Sequence, residues 1–132
     1  MAIVGIGVDI VEIERMYKSL ASRQNLAKRV LSSDELREFD ALSNKEQSMQ
    51  LQARFLAKRF AAKEATVKAI GTGIANGVGW QQISVAHYPS GQPYIEVSGR
   101  LAELFTEQGV SSCHLSIADE QAYAVANVVL EK

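Results

Sequence analysis

The sequence predicts an α+β domain with one long central helix and an antiparallel sheet, and residues 1–132 are expected to form one unit. Two observations carry this prediction. Strong helix formers run without Gly or Pro from residue 49 to residue 70, and four β-rich runs follow them. The 132 residues, 47% hydrophobic and 22% charged, are typical of one ordinary domain that buries its own core.

In the first half of the chain, a strand is predicted over residues 3–13, which are rich in β-branched residues and too often interrupted by Gly for a helix. A helix is predicted to begin at about residue 33, because Ser32 and Glu35 have the spacing of a capping box. The polar residues 43–50 are weakly patterned, and we expect this connection to be mobile.

The longest element is a helix predicted over residues 49–70, which Gly71 is well placed to end. A glycine-rich loop over residues 71–79 follows it. The remaining elements are a hairpin, a short helix and a closing hairpin, predicted over residues 83–88 and 94–97, 99–108, and 113–118 and 122–130.

The composition argues against several classes of protein. The single cysteine, Cys113, allows no internal disulfide, and no basic segment precedes an apolar run at the N-terminus, so neither a secreted scaffold nor a signal peptide is expected. No apolar run approaches the roughly 20 residues of a membrane helix. A net charge of −1 gives no overall attraction to nucleic acid or lipid. We therefore expect a protein of the reducing cytoplasm that binds neither membranes nor nucleic acid.

Positive charge is concentrated in two segments, residues 15–29 and 54–68, which hold ten of the fourteen Lys and Arg residues. Such patches on a nearly neutral protein indicate either an anionic partner recognised at a defined place or solvated helix faces. An association rate that depends on salt would distinguish the partner from the solvated faces.

One carboxylate is predicted to lie on the apolar side of the long helix. On a helical wheel Glu64 falls inside the stripe formed by Leu56, Phe60 and Val67. Because a bare carboxylate facing a core is costly, Glu64 must be neutralised, paired or bound to a metal, and Lys68 offers a pairing at i,i+4. The opposite face suits close packing against another element or subunit and carries Phe55, Ala62, Ala65 and Ala69.

Asp9 poses the same problem in the first strand. The even positions of this strand are apolar, whereas the odd face contains Gly5, Gly7 and Asp9, and the glycines are expected to leave space beside the carboxylate. Together, Asp9 and Glu64 would supply oxygen ligands for a hard cation such as Mg²⁺. Their spacing alone does not bring them together, since residues so far apart in sequence need not meet.

The glycine-rich loop over residues 71–79 permits two interpretations. Its backbone amides would approach phosphate oxygens, or it is a plain connection. Because the loop follows a helix C-terminus, whose dipole opposes an anion, phosphate binding needs Lys63, Lys68 or a metal nearby. His87 and His114 are predicted to be structural residues.

Three sequence blocks cover most of the chain in order: GIGVDIVEIER at residues 5–15, RFLAKRFAAKEATVKAIGTG at 54–73 and LSIADEQAYAVA at 115–126. Together they resemble the holo-acyl-carrier-protein synthases, the small bacterial type of 4′-phosphopantetheinyl transferase. The resemblance implies the fold of that family. It also implies transfer of the phosphopantetheine arm of coenzyme A to a serine of acyl carrier protein, for fatty acid biosynthesis, with release of adenosine 3′,5′-bisphosphate.

The resemblance assigns roles to residues. Asp9 and Glu64 match the family's Mg²⁺ ligands, and Lys68 matches a lysine beside the transferred phosphate, so Glu64 and Lys68 are the expected catalytic residues. Glu64 and a metal-bound water are both candidates for accepting the serine proton. The residues expected to hold coenzyme A are Lys63, Gly71, Thr72 and Gly73, with Ser90, Gly91 and Pro93 near the nucleotide.

Partners are implied in the same way. Arg15, Lys18 and Arg23 match the region by which family members meet the acidic helix of acyl carrier protein. Family members of this size are homotrimers with active sites between adjacent subunits, which would use the Ala-rich face of the long helix and the exposed strands. Asp119, followed by Glu120, stands where many relatives have His, so no nucleotide contact of that His is carried over.

Two other functions remain open on the sequence. The first is a non-catalytic module that uses its basic patches to hold an acidic protein or a nucleotide, and nucleotide binding indifferent to Mg²⁺ would favour it. The second is the same transferase chemistry on a specialised carrier of polyketide or peptide synthesis, which only a comparison of carrier substrates separates from fatty acid synthesis.

Overall fold

A computed structural model of the chain describes residues 1–22 and 25–132 and confirms the α+β class. The elements follow in the order β1 (Ile3–Glu12), α1 (Ile13–Ala21), α2 (Leu26–Val30), α3 (Ser33–Ala41), α4 (Ser48–Ile70), β2 (Ile83–His87), β3 (Pro93–Val97), α5 (Gly99–Glu107), β4 (Ser112–Asp119) and β5 (Tyr123–Glu131). Among the helices of these described ranges, none is both long and apolar enough to cross a membrane.

The strands form two antiparallel sheets. In the larger sheet β5 lies between β1 and β4, so Ala126 of β5 is paired with Asp9 on one side and with Ile117 on the other. In the smaller sheet β2 pairs with β3, with Val85 opposite Ile95. Both predicted hairpins are therefore confirmed.

Helix α4 is the central element, and it packs against β1, β5 and α1. It begins at Ser48 and ends at Gly71, whose φ of 92° is the left-handed conformation that glycine adopts most easily. The predicted helix over residues 49–70 is thus confirmed to within one residue. The connection predicted over residues 43–50 follows a 3₁₀ turn at Leu42–Asn44 and ends in the first residues of α4, and its mobility stays a prediction.

Two glycines of β1 allow the backbones of the strand and of α4 to touch. A Cβ atom added at Gly5 would lie 1.9 Å from the carbonyl oxygen of Ala69, and one added at Gly7 would lie 1.9 Å from that of Ala65. The glycines therefore do not leave open space beside Asp9, because the helix fills it. The Ala-rich face of α4 is buried within the chain, so the expectation that this face serves a subunit interface is wrong.

The even-numbered face of β1 points away from α4. Ile6, Val8 and Ile10 are 71%, 53% and 63% exposed, whereas Val11 on the other face is buried in the core. The apolar pattern of this strand is real, but its even face does not belong to the core of the chain. A strongly apolar sheet surface is left facing outward.

Two short helices between the first strand and the capping box were not predicted. Helix α1 buries Ile13 and Met16, and α2 follows it. The capping box itself is confirmed at the start of α3: the Glu35 amide donates to Ser32 Oγ at 3.4 Å, and the Ser32 amide donates to Glu35 Oε1 at 2.9 Å.

Candidate functional site

Asp9 and Glu64 lie on the two elements whose backbones touch, β1 and α4. Lys68, one turn beyond Glu64, donates from Nζ to Asp9 Oδ1 and to the Val8 carbonyl oxygen, each at 3.0 Å. The Asp9 side chain is 16% exposed and that of Lys68 is 51% exposed. The predicted i,i+4 pairing of Lys68 with Glu64 is therefore replaced by an ion pair with Asp9, which places Lys68 between strand and helix.

The two carboxylates act on each other. Partial burial raises the pKa of Glu64 above its ordinary value, and the negative charge of Asp9 raises it further. Lys68 and Arg15 act in the opposite direction but do not cancel these effects. A carboxylate whose ionised form is destabilised by a neighbouring acid is suited to a divalent cation, whose charge relieves the repulsion.

The donor set fits Mg²⁺ in kind, since it consists of carboxylate oxygens on two rigid elements. Within residues 1–22 and 25–132, no group of three or more His, Cys, Asp or Glu side chains has a metal-binding arrangement. Mg²⁺ is commonly held by one or two carboxylates together with substrate phosphates and water, so two acids are sufficient for a site completed by a phosphorylated substrate.

Arg15, which is predicted to bind a partner protein, also lies near enough to Glu64 for its charge to oppose the rise in the pKa of that carboxyl. Its guanidinium stands 5.7 Å from the centroid of the Phe60 ring, one helical turn before Glu64, and Phe60 stacks on Trp80 at 4.9 Å. Arg15 also lines a basic cavity of about 410 Å³ between α1 and α2, together with Met16, Lys18, Ser19, Ser22, Leu26 and Arg29. Arg23 lies outside the described residues.

The first three residues of the loop after α4 do not offer their amides to a ligand in this structure. The N–H groups of Gly71, Thr72 and Gly73 all point to the Val67 carbonyl oxygen, at 3.0, 3.1 and 3.4 Å. The Thr72 hydroxyl donates to the Gly73 carbonyl oxygen at 3.0 Å. These amides therefore satisfy the end of the helix, and phosphate binding through them would require the loop to turn.

Lys63 is not placed to hold phosphate. Its side chain is fully buried, and Nζ donates to Glu35 Oε1 at 2.6 Å, to the Val30 carbonyl oxygen at 2.6 Å and to the Trp80 carbonyl oxygen at 3.2 Å. All three donors of the ammonium group are thus used inside the chain. The expectation that Lys63 contacts a substrate phosphate is corrected by its place in the core.

The hairpin residues Ser90 and Gly91 are exposed at the tip between β2 and β3, and Pro93 begins β3. This hairpin packs toward β4, where Pro93 lines a cavity of about 320 Å³ with Tyr88, Gln92, Tyr94 and the first residues of β4. For the described part of the chain, no hydrogen bond or ion pair joins the hairpin tip to Asp9, Glu64 or Lys68.

Asp119, the last residue of β4, is bound by basic side chains of α4. Its carboxylate accepts from Arg54 Nη1 at 2.7 Å and lies 4.0 Å from Lys58 Nζ. Arg54 also donates to the Glu120 carbonyl oxygen at 2.7 Å. This segment thus ties the closing hairpin to the long helix, a role that the sequence did not indicate.

Comparison with known proteins gives consistent results. Residues 5–128 match the model of the 4′-phosphopantetheinyl transferase superfamily. A Vibrio vulnificus (strain CMCP6) protein named holo-[acyl-carrier-protein] synthase is 51% identical over 132 residues, which cover 99% of each chain. A protein of the same name from Pseudoalteromonas atlantica is 48% identical over 131 residues, 99% of this chain and 98% of that one.

A solved structure shares the fold over its full length. The crystal structure of holo-[acyl-carrier-protein] synthase from Neisseria meningitidis has a TM-score of 0.86 and 39% identity, and covers 99% of this chain and 100% of that one.

Proposed function

Since the chain belongs to the 4′-phosphopantetheinyl transferase superfamily, we propose that Asp9, Glu64 and Lys68 form its catalytic centre. The enzyme transfers the 4′-phosphopantetheine group of coenzyme A to a serine of apo acyl carrier protein and releases adenosine 3′,5′-bisphosphate. The carrier that it activates is that of fatty acid biosynthesis. The observation that carries the proposal is the pair of mutually repelling carboxylates beside an exposed lysine.

Asp9 and Glu64 would hold Mg²⁺. When bound there, the ion supplies positive charge that offsets the negative charge developing as the phosphoanhydride bond breaks. Support comes from the oxygen donors, from the rigid strand and helix that carry them, and from the pKa of Glu64, which burial and Asp9 raise because nothing fully compensates its charge.

Lys68 is the cationic group available to the transferred phosphate. Its ammonium rests on Asp9 and the Val8 carbonyl oxygen but remains half exposed, so it can donate to a phosphate oxygen without leaving the strand. In the reaction the serine oxygen forms a bond to the phosphorus of the pantetheine phosphate, and the bond to the adenosine bisphosphate oxygen breaks. Lys68 stabilises or protonates that leaving phosphate.

The hydroxyl proton of the serine must pass to a base during this step. Of the chain's own groups at the centre, Glu64 is the candidate, because its carboxylate lies where the charges of both Asp9 and Lys68 act on it.

Coenzyme A would lie against two separate parts of the fold. Gly71, Thr72 and Gly73 border the end of α4, and the loop would approach phosphate oxygens if its amides turned from the Val67 carbonyl oxygen. Ser90, Gly91 and Pro93 of the hairpin would contact the nucleotide. Because none of the described hydrogen bonds or ion pairs joins the hairpin tip to Asp9 or Lys68 of the same chain, these residues are proposed to contact a substrate bound at the centre of an adjoining subunit.

Acyl carrier protein would dock on the basic surface of α1. Arg15 and Lys18 line its cavity, and Arg23, in the segment between α1 and α2, keeps the same sequence-based assignment. An acidic partner is expected here because basic side chains line the cavity together with the apolar side chains of Met16 and Leu26. Arg15 stands between this surface and Glu64, so a docked carrier would present its serine near the metal site.

The assembly is proposed to be a homotrimer in the cytoplasm. The exposed apolar face of Ile6, Val8 and Ile10 provides the surface that other copies would cover, and it replaces the Ala-rich helix face in that role. The reducing compartment is supported by the single thiol of Cys113, which has no partner cysteine in the chain.

The proposal is tested by incubating the protein with coenzyme A, Mg²⁺ and apo acyl carrier protein, followed by mass spectrometry of the carrier. The expected result is a mass gain of one phosphopantetheine group that requires Mg²⁺ and the carrier's serine. Unchanged transfer after complete removal of divalent ions would contradict the metal site. A carrier that gains no mass under any of these conditions would contradict the assigned activity.

A further inference from the structure

We infer that the buried Glu35–Lys63 pair is a positioning device, which fixes the rotation of α4 so that Glu64 faces Asp9. The inference rests on the proposed metal site and adds to it two residues that contact neither metal nor substrate. Lys63 directly precedes Glu64 in α4, and one residue of helix corresponds to a rotation of about 100°. Whatever fixes the direction of Lys63 therefore also fixes the direction of Glu64.

Every polar atom of this pair has a partner. Glu35 Oε1 accepts from Lys63 Nζ at 2.6 Å and from the Ser32 amide at 2.9 Å, and Glu35 Oε2 accepts from the Val85 amide at 2.7 Å. Lys63 Nζ donates in addition to two carbonyl oxygens, those of Val30 and Trp80. Both side chains are 0% exposed.

These bonds join α4 to four other segments. Their partners lie at the end of α2, at the start of α3, in the 3₁₀ turn Trp80–Gln82 and in β2. Hydrogen bonds are directional, so five of them arranged around one ammonium and one carboxylate determine both the rotation and the axial position of the helix at this point.

On the side that faces β1, the side-chain bonds of α4 are more exposed: Lys68, whose side chain is 51% exposed, donates to Asp9 and to the Val8 carbonyl oxygen. There the helix meets Gly5 and Gly7, which have no side chains, through the carbonyl groups of Ala65 and Ala69. Small residues permit a close approach, but they offer few side chains that interlock. The glycine contact sets the distance between strand and helix, and the buried pair is the feature that selects the rotation.

The pair also supports the two stacked aromatic side chains against which Arg15 packs. Trp80, whose carbonyl oxygen accepts from Lys63, stacks on Phe60 at 4.9 Å, and the Arg15 guanidinium lies 5.7 Å from the Phe60 ring centroid. A shift of Lys63 would therefore move Glu64 through the backbone and Arg15 through the aromatic stack. Both groups belong to the proposed site.

Stability alone is a weak reason for such a pair, because a buried ion pair often stabilises a fold no more than well-packed apolar residues of similar volume. Breaking one partner is different, since it leaves an uncompensated buried charge. Variants that remove both charges together therefore separate a role in stability from a role in positioning.

The test uses two full-length variants expected to fold. The double variant Glu35→Gln/Lys63→Met removes both charges and keeps one side-chain oxygen that can accept from a backbone amide. The single variant Glu35→Asp keeps the negative charge, but its shorter side chain moves the carboxylate away from Lys63. Mn²⁺ binding in the presence of coenzyme A is measured by electron paramagnetic resonance, beside kcat and thermal unfolding. We expect both folded variants to bind Mn²⁺ about 10- to 100-fold more weakly than the parent chain, with a parallel fall in kcat.

Two control variants complete the design. Arg37→Gln removes an exposed ion pair on α3, and Leu101→Val reduces the core packing of α5, so they control for charge and for lost stability. Both are expected to keep parental Mn²⁺ affinity. Parental Mn²⁺ affinity and kcat in the two folded pair variants would overturn the inference. Failure of the parent chain itself to bind Mn²⁺ would instead overturn the metal site, so the two failures are distinguishable.

Discussion

Lys68 Nζ lies 3.0 Å from Asp9 Oδ1, and this ion pair joins the first strand to the long helix across 59 residues of sequence. It holds a cation beside an acid that also raises the pKa of Glu64. The charges of both groups therefore act on Glu64, Asp9 by raising its pKa and Lys68 by lowering it. Changes at single positions should separate binding, chemistry and stability.

Glu64→Gln is expected to abolish transfer without unfolding the chain. The loss of a metal-binding carboxylate should lower kcat by at least about 100-fold. Glu103→Gln, on the exposed face of α5, is the control and should keep parental kcat. Parental turnover in Glu64→Gln would remove this residue from the centre.

The same variant should show a stability effect that depends on pH. Because burial and Asp9 raise the folded-state pKa of Glu64, its stabilising contribution is present at acid pH and is lost as pH rises through that pKa. Near neutral pH, Glu64→Gln should therefore have an unchanged or higher Tm, by up to about 3 °C. The difference should vanish in acid, where Glu64 is protonated in both states. A Tm gain confined to acid solution would contradict this account.

Gly7→Ala should destabilise the fold strongly. The new Cβ would lie 1.9 Å from the Ala65 carbonyl oxygen, so strand and helix must separate, at a cost of about 3 kcal/mol in the free energy of unfolding. Urea unfolding measures it. Gly79→Ala is the matched control, because a Cβ there meets nothing within 4 Å. Equal stability of the two variants would refute the backbone contact.

Lys18→Ala should weaken the recognition of acyl carrier protein and leave the chemistry intact. Lys18 lines the basic cavity but not the centre, so we expect KM for the carrier to rise several-fold at constant kcat. Raising the salt concentration should diminish the difference between variant and parent. Lys45→Ala, an exposed lysine after α3, should behave like the parent. A fall in kcat at unchanged KM would place Lys18 in the chemistry instead.

Val8→Glu should prevent assembly. The change puts a charge in the middle of the exposed apolar face of the larger sheet, where other copies are proposed to pack. Light scattering after size exclusion should then give the 14.4 kDa of one chain. Thr106→Glu, on exposed α5, should keep the parental mass. A parental mass for Val8→Glu would exclude this face as the interface.

The Cys113 thiol should react slowly in the folded protein. Burial raises its pKa to about 11, so little thiolate forms near pH 8. Alkylation followed by mass spectrometry should show a rate that rises about tenfold per pH unit up to that pKa. Unfolding in urea should abolish the protection. Rapid labelling of the folded chain at neutral pH would contradict the raised pKa of this half-buried thiol.

Local patterns in the sequence predict much of the fold, and they single out both acids of the proposed site. Gly71 ended the long helix where expected, and the capping box at Ser32 and Glu35 formed. Glu64 stands out because an ionisable group on an apolar helix face needs a partner, and Asp9 because it is a second carboxylate on a half-buried strand beside two glycines. Such inferences depend on neighbours within a few residues, which the sequence displays directly.

The residues whose positions the sequence does not predict are fixed by contacts with residues distant in the chain. Lys63 is buried because Glu35, 28 residues earlier, reaches it, and no local pattern shows this. The sequence also does not show that the even face of β1 points outward. The same apolar pattern is expected whether this face packs on the core of its own chain or against a second chain. The amides of Gly71, Thr72 and Gly73 turned inward because the carbonyl at the helix end accepts them.

The backbone contact at Gly5 and Gly7 bears on how freely this protein can change. Where main chain touches main chain, separation is dictated by covalent geometry and not by the choice of hydrophobic residues elsewhere. Apolar substitutions elsewhere in the interior can therefore accumulate, in nature or in the laboratory, with little change in the distance between the strand and the helix. Changes on the proposed docking surface of α1 could then alter carrier preference while the separation of β1 and α4 stays constant.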